Sequence, residues 1–161
     1  MLKIAFVATI AALTALPAVA DSDGAGDPAK GEKGFRKCQA CHVVQDADGN
    51  TLAGRAGKVG PNLFPVPGGL AGSVDGFRYS DALVQANAAG LIWTEDTFVS
   101  YVMDPKGFLQ EWLDDSSARP KMTFKLRKED DARDMWAYLV SLNPDAMAGD
   151  GGDTDTGSDS N

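Results

Sequence analysis

Residues 38–42 read Cys38-Gln39-Ala40-Cys41-His42, and they hold both cysteines and the only histidine of a 161-residue chain. Two thiols separated by two residues and followed at once by an imidazole form the pattern C-x-x-C-H. Because all the soft ligands of this type lie here, the chemistry of the protein is expected to lie here too. Three such residues cannot complete a four-ligand zinc site of cysteine and histidine, and two cysteines exclude a disulfide-rich scaffold.

This pattern is the signature of covalent haem attachment. Two thiols three positions apart can add to the two vinyl groups on one edge of a porphyrin, and His42 can then reach the iron as an axial ligand. A thioredoxin-type redox pair is an alternative, but it needs strands around it, whereas the flanks predict helix and glycine-rich loop. A structural disulfide would close a very short loop and stabilise little. The motif therefore predicts one covalent haem c.

The motif does not identify the residue that binds the haem iron on the side opposite His42. Four methionines follow the N-terminal segment: Met103, Met122, Met135 and Met147. Met135 lies on the apolar face of a predicted helix, where methionine usually fills core space, and Met147 lies near the C-terminus. Met122 follows Pro120 in an extended segment that can cross a haem face. Residue type alone favours Met122, with lysine, tyrosine or an open position as alternatives.

The two ends of the chain differ in composition from the middle. Residues 1–20 combine Lys3, an apolar run and the small-x-small sequence Ala18-Val19-Ala20, which predicts a secretory signal peptide that is cleaved. A retained anchor is the alternative, but the apolar run is short for a membrane span of about 20 residues. Residues 145–161 contain five aspartates and no base, which predicts a disordered acidic tail. A single domain over residues 21–144 remains.

Charge is unevenly distributed along the chain. The formal net charge is -8, from 15 basic and 23 acidic residues, which argues against a nucleic-acid partner because phosphate binding needs a basic surface. Bases nevertheless precede Cys38 and surround Met122, and no acid occurs from residue 119 to 128. An ordinary solvated face is one interpretation. The other is a basic rim, including Lys37 and Lys121, that orients an acidic partner.

The remaining pattern predicts helices and loops. Eight glycines and three prolines between residues 45 and 78 favour loop there, and no segment shows strand alternation. Because about 120 residues with long loops bury little apolar surface, the core needs a large group to complete it. Helices are predicted from Asp27-Pro28 to about Cys38, over Tyr79–Ala88, from the Thr94 cap to about Met103, over Pro105–Trp112 and over Lys128–Leu142.

Together these segments resemble a class I c-type cytochrome, in particular the bacterial cytochrome c2 and c-550 group. The resemblance covers residues 28–143. It implies an all-α fold, a single cytochrome c domain of about four to five helices and long loops wrapped around one covalent haem. The segments that carry it include Val59-Gly60-Pro61-Asn62-Leu63, Gly76-Phe77-Arg78-Tyr79, Leu91-Ile92-Trp93-Thr94, Lys121-Met122-Thr123-Phe124 and Met135-Trp136-Ala137-Tyr138-Leu139.

The resemblance also implies roles for single residues. The Pro61 carbonyl would accept a hydrogen bond from His42, and Met122 would be the second axial ligand. Tyr79 and Trp93 would hydrogen-bond the haem propionates, and Tyr101 would lie near the methionine sulfur. Gly69 stands where the family has an arginine that pairs with a propionate, which implies a somewhat lower potential. The last helix would pack against the first near Gly31 and Phe35.

The function implied is that of a soluble periplasmic monohaem carrier. It would move single electrons from a cytochrome bc complex to a photosynthetic reaction centre or a cytochrome c oxidase, as a monomer, without enzymatic activity or a small-molecule substrate. An open iron, if Met122 does not bind it, would instead suit peroxidase or gas-binding chemistry.

Overall fold

The computed structural model describes residues 26–55 and 59–146. Within these ranges the chain forms five helices joined by long irregular segments, together with one short antiparallel hairpin. The predicted signal peptide and the tail from residue 147 onward lie outside the described residues. The prediction of disorder was wrong for residues 145 and 146, which lie in a short turn where the Ala146 amide donates to the Asn143 carbonyl at 3.2 Å. The elements are α1 Pro28–Phe35, β1 Val43–Gln45, β2 Thr51–Gly54, α2 Asp81–Ala88, α3 Glu95–Met103, α4 Pro105–Trp112 and α5 Glu129–Leu142.

Side-chain caps fix the starts of helices α1, α3 and α4. The Asp27 carboxylate accepts hydrogen bonds from the first-turn amides of α1, and Thr94 forms a reciprocal capping box with Thr97 at the start of α3. Asp104 ends α3 and also caps α4, where its carboxylate accepts from the Gly107 amide at 3.1 Å. These caps satisfy amides that have no partner inside the helix. The predicted starts of these three helices are thus confirmed.

The first helix is shorter than predicted. It ends at Phe35 rather than near Cys38, because the amides of Cys38 and Gln39 both donate to the Phe35 carbonyl, at 2.8 and 3.0 Å. The next turn is closed in the same way, with the Cys41 and His42 amides both donating to the Cys38 carbonyl at 3.0 Å. The whole C-x-x-C-H motif therefore lies in consecutive tight turns.

The prediction that residues 45–78 lack regular structure was wrong at their start. Strands β1 and β2 pair antiparallel, with Val44 opposite Ala53, and the Asp46 carboxylate closes the turn by accepting from the amides of Asp48 and Asn50 at 3.0 and 2.8 Å. Strands of three and four residues are too short to show an alternating pattern. The hairpin follows directly on His42 and so helps to position it.

Helices α1 and α5 cross closely and form one side of the core. A Cβ added at Gly31 would overlap the Asp134 carbonyl of α5, so the missing side chain is what allows the approach. The rings of Phe35 and Tyr138 meet beside it, with centroids 5.7 Å apart. The packing of the last helix on the first near Gly31 and Phe35 is confirmed. None of the helices in the described ranges is long and apolar enough to cross a membrane.

Candidate haem site

A cavity opens between the turns after α1, the loop that follows residue 59, helix α3 and the segment 121–126. Most of its wall is apolar, with Leu83 and Phe98 as examples. A mainly apolar wall with few polar groups is typical of a cofactor site. All eight site residues predicted from the sequence line this cavity: Cys38, Cys41, His42, Pro61, Tyr79, Trp93, Tyr101 and Met122.

The His42 ring is held in one orientation on two sides. Its Nδ1 lies 2.9 Å from the Pro61 carbonyl oxygen, and because a carbonyl only accepts, Nδ1 carries the proton. A Cβ at Gly60 would overlap the ring, so the ring lies against bare backbone there. Burial lowers the pKa of His42, although the hydrogen bond to Pro61 opposes this. The imidazole is thus neutral at pH 7 and its Nε2 lone pair is available to a metal.

Both thiols are free and lie at the cavity wall. Burial raises the pKa of the Cys38 thiol to about 11, so this thiol stays protonated at neutral pH. A reactive redox cysteine has a lowered pKa instead, which counts against a thioredoxin-type pair. No cluster of three or more histidine, cysteine, aspartate or glutamate side chains within the described ranges could hold a metal ion.

Met122 lies in an extended segment that is fixed to the rest of the molecule on both sides. The Lys121 ammonium donates to the Arg78 carbonyl, and the Leu126 amide donates to the Val102 carbonyl at 2.8 Å. Between these two points Met122 is half-buried against the core. Met135 also lines the cavity, but from inside α5, where it is only 2% exposed.

Three aromatic residues present polar groups at the cavity. The Tyr79 hydroxyl accepts from the Val74 amide at 3.3 Å and keeps its own proton to donate. Among the described residues, neither the Trp93 indole N–H nor the Tyr101 hydroxyl makes a hydrogen bond, although Trp93 and Tyr101 are 7% and 8% exposed. Burial raises the pKa of Tyr101 to about 12, so its hydroxyl remains a neutral donor. No hydrogen bond joins Tyr101 to Met122.

The backbone around Gly69 leaves no space for a side chain. A Cβ there would overlap the Pro65 carbonyl oxygen, because the 65–69 turn folds back on itself. Gly69 in turn pairs with Trp93, whose amide donates to the Gly69 carbonyl at 2.9 Å. No arginine of the described ranges lines the cavity, and its basic residues there are Lys37 and Lys121.

Two features of the site have no signal in the sequence. Gly60 stands inside a recognised motif, but one sequence cannot show that a ring lies against it. The cavity mouth also carries exposed apolar side chains, of which Val59 is 73% and Phe124 42% exposed. Isolated exposed apolar residues are common on any protein surface, so only their shared position at the mouth makes them significant.

A neutral imidazole, a thioether and two free thiols in one apolar cavity are the donor set of a covalently bound haem with two axial ligands. The residues present therefore fit haem c, and the fold and cavity together define a c-type cytochrome.

Known proteins support this class. Cytochrome c2 of Rhodovulum adriaticum is 60% identical over 120 residues, covering 74% of this chain and 95% of that protein. Cytochrome c-550 of Paracoccus versutus is 47% identical over 150 residues, covering 91% and 94%. The X-ray structure of cytochrome c2 from Rhodobacter sphaeroides matches with a TM-score of 0.71 at 50% identity, covering 72% of this chain and 95% of that one. No family model matches.

The chain belongs to the cytochrome c2 and c-550 family. It is a monohaem c-type electron carrier with one covalently attached haem c, and it is not an enzyme. The class I fold predicted from the sequence is confirmed.

Proposed function

We infer that the chain carries single electrons in the periplasm, with haem c attached through Cys38 and Cys41 and the iron held by His42 and Met122. The observation that supports this most strongly is that the motif at residues 38–42 and Met122, which are far apart in the sequence, line one apolar cavity. Haem c supplies reversible exchange between Fe(III) and Fe(II) when bound. With both axial positions filled, no substrate needs to bind.

Pro61 and Gly60 orient His42 for this role. The Pro61 carbonyl keeps the proton on Nδ1 and directs the Nε2 lone pair to the iron. A hydrogen bond of this kind also raises the basicity of the ligand. Because the ring lies against Gly60, it has little freedom to rotate between the two oxidation states.

Met122 supplies the second ligand from its tethered segment. A soft thioether favours Fe(II), which raises the potential relative to a second nitrogen ligand. Met135 is the other methionine at the cavity, but its fully buried position in α5 suits core packing. The tethers at Lys121 and Leu126 hold the Met122 segment against the molecule.

The aromatic donors bind the rest of the cofactor. Tyr79 and Trp93 hydrogen-bond the propionates, and Tyr101 lies near the Met122 sulfur. Support comes from their free polar groups at the cavity wall, since a buried tyrosine or tryptophan usually finds a partner. Without an arginine at Gly69, the propionate charge is less compensated. This favours the oxidised, more positive haem and lowers the potential somewhat.

Export and domain organisation follow from the two ends of the chain. Residues 1–20 direct secretion and are cleaved, residues 21–144 form the cytochrome domain, and residues 145–161 form an acidic tail. The haem is then attached in the periplasm, and the protein acts there as a monomeric carrier.

Electrons come from a cytochrome bc complex and pass to a reaction centre or a cytochrome c oxidase. These partners dock on the cavity mouth, where apolar Val59 and Phe124 lie beside the basic rim of Lys37 and Lys121. An apolar centre with a polar rim is common in protein interfaces. Lys37 is paired with Asp131 at 3.1 Å, so Lys121 provides more of the free charge.

Covalent attachment is tested by removing the thiols. Cys38→Ala combined with Cys41→Ala should leave no haem that survives acid–acetone extraction, because the chain has no other thiol. Met103→Ala is a control, since Met103 does not line the cavity. Haem that remains covalently bound in the double variant would exclude the proposed attachment.

A further inference from the structure

A column of stacked aromatic rings runs from the cavity to the surface of α4. Trp93 lines the cavity and stacks on Phe108, with centroids 6.5 Å apart and planes 27° apart. Phe108 stacks on Trp112 at 5.9 Å and 25°. Trp93 is 7% exposed and Trp112 41%. One phenyl ring therefore separates a buried indole from an exposed one.

We propose that this column carries an oxidising equivalent away from the haem cavity to Trp112 when the carrier meets hydrogen peroxide. Of the indole, neutral phenol and phenyl rings in this region, indole loses an electron most readily. The phenyl ring of Phe108 is not itself oxidised and only connects the two indoles. Tyr101 also contacts Phe108, at 5.9 Å, but its hydroxyl has no hydrogen-bond acceptor among the described residues to take the proton that phenol oxidation releases.

Solvation gives the transfer its direction. A one-electron-oxidised indole is a cation, and burying a charge is costly. The exposed ring of Trp112 is hydrated, whereas Trp93 is not. The charge is therefore more stable at the surface end of the column, where its N–H proton can also leave to water.

The electrons and atoms balance as follows. Reducing one hydrogen peroxide to two waters takes two electrons and two protons. One electron comes from the ferrous iron, which becomes ferric, and the second comes from Trp112. The Trp112 N–H gives one of the two protons, solvent gives the other, and a neutral indolyl radical remains.

Oxidation can be assigned to each tryptophan separately by tryptic digestion. Trypsin places the three tryptophans in separate peptides: Trp93 in residues 79–106, Trp112 in 107–121 and Trp136 in 134–161. Trp136 is 5% exposed and packs on Phe98, outside the column. It is therefore an internal reference for oxidation that does not follow the column.

The experiment adds hydrogen peroxide to ferrous holoprotein and measures tryptophan oxidation by peptide mass spectrometry. The proposal rests on the haem lying in this cavity, so the covalent haem spectrum is recorded first and tests that point separately. Trp112 should be oxidised several-fold more than Trp136. Phe108→Leu, which interrupts the column but leaves Trp112 exposed, should lower Trp112 oxidation several-fold. Phe35→Leu is the matched control, because Phe35 packs on Tyr138 outside both the column and the cavity, and it should leave Trp112 oxidation unchanged.

A second variant covers the case in which Phe108→Leu does not fold. Trp112→Phe keeps a ring in place but removes the oxidisable indole, so haem bleaching per peroxide added should rise several-fold. Equal oxidation of Trp112 in Phe108→Leu and the parent protein would indicate direct attack from solvent and would overturn the proposal. So would equal oxidation of Trp112 and Trp136, or unchanged bleaching in Trp112→Phe.

Discussion

Gly60 has no side chain, and the His42 ring occupies the space that a Cβ at this position would need. Together with the 2.9 Å hydrogen bond from Nδ1 to Pro61, this fixes both the tautomer and the plane of the imidazole. The contact is local and steric, so it belongs to single residues rather than to the fold.

Gly60→Ala should displace His42. The added Cβ overlaps the ring, so either the ring rotates or the backbone shifts, and the hydrogen bond to Pro61 lengthens. Covalent haem yield and the reduction potential should both fall, as measured by haem staining and potentiometric titration. Gly34→Ala is the control, because a Cβ at Gly34 meets only an ordinary 3.5 Å contact and Gly34 does not line the cavity. A variant at Gly60 with the parent potential would show that the ring is not constrained there.

Single-residue predictions from the sequence varied in strength for a physical reason. Cys38, Cys41 and His42 form a local motif whose spacing follows from the chemistry of the porphyrin. Met122 needed the resemblance to a family, because four methionines were candidates. Gly60 could not be predicted, since its role depends on a ring brought to it by the fold.

The crossing of α1 and α5 depends on how closely two backbones approach. Gly31 lies against the Asp134 carbonyl and the Tyr138 Cβ, whereas Gly34, one turn later on the same helix, has only an ordinary 3.5 Å contact with Met135. The two glycines therefore play different parts in one element.

Gly31→Ala should destabilise the protein by about 2 kcal/mol, within the usual range for overpacking. Gly34→Ala is the matched control and should be neutral or stabilising by up to about 1 kcal/mol, because alanine is the better helix former. Urea unfolding of both holoproteins measures the difference. If both substitutions had the same effect, the close crossing at Gly31 would not be a source of stability.

The cap of α4 gives a pH-dependent contribution to stability. The hydrogen bond from Lys125 and the one from the Gly107 amide hold the pKa of Asp104 below its usual value of 3.8. A carboxyl with a lowered folded-state pKa stabilises the fold above the unfolded pKa, and the stabilisation is lost as the pH falls through the folded pKa.

Asp104→Ala should therefore cost about 1 kcal/mol at pH 7, the usual value of an N-cap, and progressively less as the pH falls below 3.8 towards the folded-state pKa. Asp104→Asn separates the two contributions, since asparagine caps a helix but does not pair with Lys125. Thermal unfolding from pH 2 to 7 measures both. A cost for Asp104→Ala that is constant over this range would contradict the role of the charge.

Element predictions succeeded where local chemistry marks an end. The capping residues Asp27 and Thr94 and the proline at position 105 predict helix starts, and the structure begins three helices there. The β1–β2 hairpin was missed because it depends on pairing across a loop. Neither strand is long enough to show its own periodicity.

At the scale of the whole molecule, an acidic chain presents bases at the mouth of its cofactor cavity. Lys37 and Lys121 line the cavity, and Lys121 has no acidic partner among the described residues. Lys106 is also exposed and basic, but it lies on α4 away from the cavity. This gives a matched pair of positions for testing charge at the mouth against charge elsewhere.

Electron transfer to an acidic partner should slow steeply with added salt, because screening acts within about 10 Å at 0.1 M ionic strength. Lys121→Glu should lower the association rate more than Lys37→Glu, whose parent lysine is already paired with Asp131, and Lys106→Glu should have little effect. Removing residues 145–161 deletes five acids and no base, so the rate should stay the same or rise. Stopped-flow kinetics measure these rates, and a salt-independent rate would show that partners bind another surface.

The central claim, that His42 and Met122 hold the iron, is tested most directly by the absorption spectrum of the oxidised holoprotein. A weak far-red band from sulfur-to-iron charge transfer should be present in the parent protein and lost in Met122→Ala, and it should remain in Met135→Ala and Met103→Ala. Absence of the band from the parent protein, or its survival in Met122→Ala, would contradict the account.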